Sequence, residues 1–324
     1  MGIIRDLSVA LASRRLFSNW LSAGFKYLLT RHGLGRDFVT VKCGDASYRL
    51  SPGMYSFIIN AYHDGLITEF KCGGSMELLL GGIAKLVISK NGDELFIAPD
   101  GIKLRGEDSM DLTVLFETWL YEIHFLGFNL DGWLVVDIGA YIGDTPLYFA
   151  KRGAFVVAVE PVPYHFEAML RNIELNPELK SRILPINAAI ADKDGSVEIA
   201  VEGRIDGEAS IFKKGKGVKV RSFTLSSLLN HVRSLGVDIN AFRVRALKMD
   251  CKGCEWDVVS NELNTLRLFD VLKIEYSGYL RNYTADELMN RVESAGFRCR
   301  RYAHNQIAVR IGLDRHGMLS CLRV

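Results

Sequence analysis

The stretch VVDIGAYIGDTPLYFA, Val135–Ala150, runs apolar residues into Asp137, then places glycines at 139 and 143 ahead of a helical pattern. It reads as a buried strand, a tight turn and the start of a helix. Glycines there let the backbone pass close to a ligand, and a helix N-terminus presents free N–H groups. The dinucleotide fingerprint Gly-x-Gly-x-x-Gly is not met, because no glycine stands two positions after Gly139. Asp144 sits at the helix start, where a carboxylate repels a pyrophosphate. The turn therefore suits a ligand with a nucleoside and a positive charge better than NAD.

Further along the chain, WLVVDIG, FVVAVEP, RILPINAAI, RALKMD and VLKIEY are strand-like runs, four of them with an acid at or near the C-terminal end. Between them lie the helical segments DTPLYFAKRG, PYHFEAMLRNIELN and FTLSSLLNHVRSLG. Alternating strands and helices with near-continuous apolar strands predict an α/β domain, a parallel sheet covered on both faces. Glu160 ends the second strand, where an acid accepts hydrogen bonds from both ribose hydroxyls. Asn187 and Ala188, at the third, would border an adenine. Ligands of open α/β sheets sit beyond the carboxyl ends of the strands, where all these residues fall. A single acid at a strand end is often only a helix cap; three features at the right spacing argue against that. The tail segments FRCRRYA and QIAVRIG, separated by His304 and Asn305, read as an antiparallel hairpin.

Asp137–Asp144, Val159-Glu160-Pro161, LRNIELN and LKMDCKGCEWDVV together resemble the FkbM-like S-adenosylmethionine-dependent methyltransferases, class I and Rossmann-like, over roughly Leu134–Phe297. The resemblance implies a seven-stranded sheet of order 3-2-1-4-5-7-6 with the last strand antiparallel. It implies S-adenosyl-L-methionine as cofactor, at a site formed by Asp137, Gly139, Ala140, Tyr141, Gly143, Asp144, Glu160, Pro161, Asn187 and Ala188. It also implies methyl transfer, often to a hydroxyl on a glycan or small molecule.

Within LKMDCKGCEWDV, Cys251 and Cys254 form a Cys-x-x-Cys pair. Zinc needs four ligands, and neither a second such pair nor a His-x-His cluster lies nearby. A redox dithiol would leave the Asp137 turn and Glu160 without a role. The expectation is no metal, two small residues in a strand-to-helix turn, and a silent double Cys→Ser change. The family pattern resembles Asp-x-Glu-Gly-x-Glu; this chain matches at Asp250, Gly253 and Glu255 but carries Lys252 in place of the first Glu. Lys252 either pairs with a neighbouring acid or favours an anionic acceptor. An alcohol acceptor benefits from a base, and Asp250, Glu255 and Glu275 are the catalytic candidates, against the alternatives of helix cap and ion pair. His165 falls on the ribose side, where packing is the better reading. Tyr141 and Tyr276 line the pocket or belong to the core.

The 324 residues suggest about two domains. The divisions read as amphipathic helices over 1–34, a small β-rich domain over 35–108 (FVTVKC, SYRL, AKLVISK, ELFIAP, IKLR) and the methyltransferase domain over 109–324. SMELLLGGI is open between strand and helix, and DLTVLFETWLYEIHFLG is helical. The net charge of +2 argues against an extended nucleic-acid surface. Six scattered cysteines predict free thiols in a reducing compartment, hence a cytoplasmic protein. Arg14 and Arg15 interrupt any apolar run too early for a membrane span, and the N-terminus makes a poor signal peptide. A basic helix bearing Trp20, Phe25 and Leu28 either lies on a membrane surface or packs on the following domain. The partner is thus a glycan or small-molecule acceptor. The alternatives are an RNA methyltransferase, for which Arg298, Arg300, Arg301, Arg310 and Arg315 speak, and a catalytically silent cofactor-binding module.

Overall fold

The computed structural model describes residues 2–34, 38–106, 112–119, 123–125, 128–200, 217–303 and 306–324. The chain divides into two compact units, Met1–Met110 and Asp111–Val324. The sequence-derived boundaries at 34/35 and 108/109 fall on or beside residues outside the described ones, as do His304 and Asn305.

In the first unit, helices Gly2–Ser13 and Trp20–Arg31 precede a hairpin, Val39–Cys43 with Ala46–Leu50. Helix Pro52–His63 follows. Ser51 caps it by accepting from the Met54 N–H at 3.1 Å, and Pro52 occupies the first turn, where no N–H is needed. An antiparallel meander closes the unit: Ile67–Cys72, Met76–Leu80, Ala84–Ile88, Glu94–Ile97 and Lys103–Gly106. The ambiguous SMELLLGGI is a strand, because Met76, Leu78 and Leu80 alternate inward and are fully buried.

The second unit is built on one large sheet. Its strands are β1 (Trp133–Ile138), β2 (Phe155–Val159), β3 (Ile183–Ile186), β4 (Val244–Met249), β5 (Val271–Ser277), β6 (Phe297–Tyr302) and β7 (His316–Arg323). The order is 3-2-1-4-5-7-6, with β1 to β5 parallel and β7 antiparallel to both neighbours. Every residue of β1 is buried, as a central strand covered on both faces requires. Helices α1 (Asp144–Lys151), α2 (Pro163–Glu174), α3 (Leu225–Ser234) and α4 (Cys254–Asn261) follow β1, β2, the small sheet and β4.

Three sequence expectations are corrected. QIAVRIG does not pair with FRCRRYA. Gln306–Ile311 is a helix, and β6 pairs instead with His316–Arg323; a short apolar run does not distinguish the two by periodicity. RILPINAAI splits, and Ala189–Ile190 leaves the large sheet to join a three-stranded one with Gly195–Ala200 and Gly217–Phe223. The six cysteines are not free thiols: Cys43 pairs with Cys72, Cys251 with Cys254, and Cys299 with Cys321. Cys299 and Cys321 face each other directly in the β6–β7 register. Partners 29 and 22 residues apart meet only because strands bring them together. Alkylation of unreduced, denatured protein is accordingly expected to modify none of the six, and all six after reduction. Full modification without reductant would reject the pairing.

Candidate active site

The turn after β1 is shaped by its protein neighbours. Gly139 has φ +82°, and a Cβ there would stand 2.0 Å from the Asp250 carbonyl oxygen at the end of β4. Gly143 has φ +92°, and its Cβ would stand 2.9 Å from the Met169 side chain of α2. Close protein backbone and packing are enough by themselves to demand both glycines. Four of the turn's donors are also spent internally. Gly139 and Ala140 N–H groups donate to the Val159 carbonyl, Tyr141 N–H to Glu160, and Gly143 N–H to the Ala140 carbonyl. A phosphate cradle needs such donors turned outward, and these four are not.

Glu160, at the tip of β2, accepts from the Tyr141 N–H on one oxygen and the Val162 N–H on the other, each at 2.9 Å. Each carboxylate oxygen accepts two bonds, so a lone pair on each remains for a ribose diol. Beside it, the ring of buried His165 lies with Nδ1 3.6 Å from Glu160 and edge-on to Tyr141, centroids 4.7 Å apart. His165 Nε2 is buried without a hydrogen-bond partner among the described residues. An orphaned polar atom next to a half-used carboxylate fits a hydroxyl-bearing ligand. Asn187 is exposed and uses its amide to donate to the Glu160 and Pro161 carbonyls at 2.8 and 3.1 Å, fixing the tips of β2 and β3 together. Ala188 is fully buried behind it, and Ala140 likewise behind Gly139.

Asp137 and Asp144, both expected at the cofactor, are buried and hydrogen-bonded within the protein. Asp137 is fully buried, accepts from the Thr145 hydroxyl at 2.6 Å and lies 2.9 Å from the Lys248 ammonium. Asp144 is buried and accepts from the Thr118 hydroxyl at 2.8 Å. Burial pushes the Asp144 carboxyl up to about 7, against the opposing pull of Lys248. Lys248 also donates to the Gly139 carbonyl at 2.9 Å, tying β4 to the turn. This lysine was not singled out from sequence. Its signal was a charged residue inside the otherwise apolar RALKMD run, which is tolerated in a buried strand only when paired.

At the ends of β4 and β5 the three catalytic candidates separate. The Asp250 side chain keeps 29% of its surface exposed and lies 2.9 Å from the Lys252 ammonium. Glu275 accepts from Lys252 at 2.5 Å and has His316 Nε2 3.8 Å away. The Nδ1 of His316 is 3.0 Å from the Tyr276 carbonyl, an acceptor only, so Nδ1 carries the proton. Lys252 therefore bridges two acids, which decides between its two sequence readings in favour of internal pairing. Glu255, the third candidate, is engaged internally. It is fully buried and accepts from the Tyr283 hydroxyl (2.6 Å), the Ser277 N–H (2.8 Å) and the Gly253 N–H (2.7 Å). It braces the β4 turn against the end of β5. Tyr276 is core, its hydroxyl donating to the Leu313 carbonyl. The Cys251–Cys254 bond spans Lys252 (φ +50°) and Gly253 (φ +121°), so the turn holding the bridging lysine is covalently closed.

A reversed last strand, an acid at the tip of β2 and a turn lacking the dinucleotide glycine spacing fit a Rossmann-like methyltransferase fold better than a dinucleotide-binding one. The model of the FkbM methyltransferase domain matches residues 137–299, just over half of the chain, and the chain belongs to that family. No curated protein matches the sequence. Among solved structures, an FkbM methyltransferase from Methylobacillus flagellatus KT is 15% identical with a TM-score of 0.42, over 63% of this chain and 47% of that one. This chain thus spans about half the length of that relative. Fibrillarin from Aeropyrum pernix, in complex with S-adenosyl-L-methionine, is 13% identical with a TM-score of 0.39, over 79% and 99%. Magnesium protoporphyrin IX methyltransferase from Synechocystis PCC 6803, with bound SAM, is 11% identical with a TM-score of 0.37, over 66% and 77%.

Proposed function

We propose that this enzyme methylates a hydroxyl oxygen on a glycan or small molecule, with Asp250 as the base and Glu160, Tyr141, Pro161 and the Gly139 turn at the cofactor. The carrying observation is that Asp250, of the three candidate carboxylates, is the one still substantially open, at the strand edge that abuts the cofactor turn. When bound, the cofactor supplies an electrophilic methyl group on a sulfonium. With the acceptor's hydroxyl beside it, Asp250 would take the proton that the oxygen loses on methylation. Lys252 holds Asp250 in place, and Glu275 holds Lys252 from the other side. With its charge engaged by two acids, Lys252 supports a neutral acceptor over an anionic one.

Two variants test the reading together. Asp250→Asn is expected to lower turnover by about 10²- to 10⁴-fold with little change in cofactor affinity, measured by labelled-methyl transfer to fractionated glycans and metabolites. Glu160→Ala, losing hydrogen bonds to two hydroxyls, is expected to weaken S-adenosylmethionine binding by about 100-fold in calorimetry. Unchanged binding in Glu160→Ala would remove the cofactor assignment. Full turnover in Asp250→Asn would remove the base. Labelling of an RNA fraction instead would redirect the acceptor.

The unit before Met110 lies outside the matched family region and is assigned to the choice of acceptor or partner. Three disulfides undo the argument from free thiols to a reducing cytoplasm. They fit an oxidising compartment, or the disulfide-retaining cytosol of hyperthermophiles. Among the described residues no helix is long and apolar enough to cross a membrane.

A further inference from the structure

We propose that the outward faces of helices Gly2–Ser13 and Trp20–Arg31 dock on the surface of an anionic lipid bilayer. Each helix buries one side within its own unit. Val9, Ser13, Leu16, Phe17 and Ala23 are enclosed, and Phe17 stacks on Tyr55 of helix Pro52–His63 at 6.2 Å. The packing expected from sequence is therefore present, but it uses only that side. On the other side Leu7 and Leu11 stand one helical turn apart, as do Leu21, Phe25 and Leu28, and each is 51–68% exposed. Residues at i, i+4 and i+7 share a face, so these form apolar stripes turned to solvent.

Charge identifies the occupant. Residues 1–34 hold five Lys or Arg against one Asp, a net +4. The whole chain is +2, so the remaining residues carry −2 and the basic excess is confined to this segment. Arg14, Arg15, Lys26 and Arg31 are exposed, whereas Arg5 is held by Asp64 at 2.7 Å. A second copy of this face would bring like charges together, which opposes self-association. Apolar side chains flanked by lysine and arginine on short helices fit the headgroup boundary of a bilayer, with anionic lipids meeting the cations.

Flotation of the full chain with phosphatidylglycerol–phosphatidylcholine vesicles tests this. The protein is expected to float with these vesicles at low salt, to remain behind with pure phosphatidylcholine, and to release as salt is raised. The exposed triple change Leu21→Ser, Phe25→Ser, Leu28→Ser is expected to cut the bound fraction by about tenfold or more, with its melting temperature unchanged. Lys26→Glu with Arg31→Glu is expected to abolish the preference for the anionic lipid. Three results would overturn the proposal: no flotation with anionic vesicles, equal binding to neutral ones, or undiminished binding by the triple variant. A stable dimer on size exclusion that the triple variant breaks would assign the face to a second copy instead.

Discussion

Replacing Lys248 with methionine is expected to cost about 3–5 kcal/mol of stability near pH 8, and distinctly less near pH 5. The ammonium is buried, 2.9 Å from Asp137, and its charge pulls on Asp144 as well. Two enclosed carboxylates thus share one charge. Burial dominates the Asp144 carboxyl and carries it from 3.8 to about 7. An acid whose folded pKa is raised binds a proton that the unfolded chain has released, so its contribution to stability falls as pH climbs from about 4 to 7. For Lys248, burial opposes the charge, but Asp137 and Asp250 outweigh it and raise the pKa above the ordinary 10.5. Its stabilisation is fully present at neutral pH and is lost only as pH rises through that raised value. Without the lysine, the carboxylates are tolerable when protonated and costly when ionised. Urea unfolding of both proteins at pH 5 and pH 8 measures the difference, and equal losses at the two pH values would refute the shared-charge account. Adding Asp137→Asn to the variant is expected to restore part of the pH 8 loss, which marks coupling between neighbours.

Gly139→Ala is expected to cost about 3 kcal/mol or more, from overpacking and a left-handed backbone together, and to abolish cofactor binding. The new methyl would lie 2.0 Å from the Asp250 carbonyl oxygen, a distance no rotamer relieves. That carbonyl is not free to retreat, because the Asp250 N–H donates to the Ile138 carbonyl at 2.9 Å and β4 is laddered to β1. Gly296→Ala separates the two causes. Gly296 also has a positive φ, +92°, but nothing lies within 4 Å of its would-be Cβ. Its loss is expected to be about 1–2 kcal/mol, the backbone cost alone. Thermal or urea unfolding of both variants decides the matter, and equal losses would show that the contact with Asp250 is not tight.

Much of the second unit was legible because its signals are local. An apolar run ending in Asp137, a glycine turn and a helical pattern are neighbours in sequence, and so are VAVEP and its acid. The strand order came from the resemblance, and the sheet has that order. The misreadings share a cause. QIAVRIG and HGMLSCLR are both short and apolar, and only pairing with β5 makes the second of them the strand. In two of the three disulfides the partners lie in separate strands, and spacing alone does not say which strands adjoin.

The sequence by itself determined where the strands end and which acids stand at those ends, because a strand's period and a turn's glycines act within a few residues. The tertiary structure decided what each acid does. Thr145 and Lys248 enclose Asp137, Thr118 takes Asp144, Tyr283 and Ser277 take Glu255, and Lys252 is shared by Glu275 and Asp250. Whether a carboxylate is a brace or a base depends on burial and on its charge partner. Most of those partners lie tens of residues away along the chain and meet it only across the folded sheet.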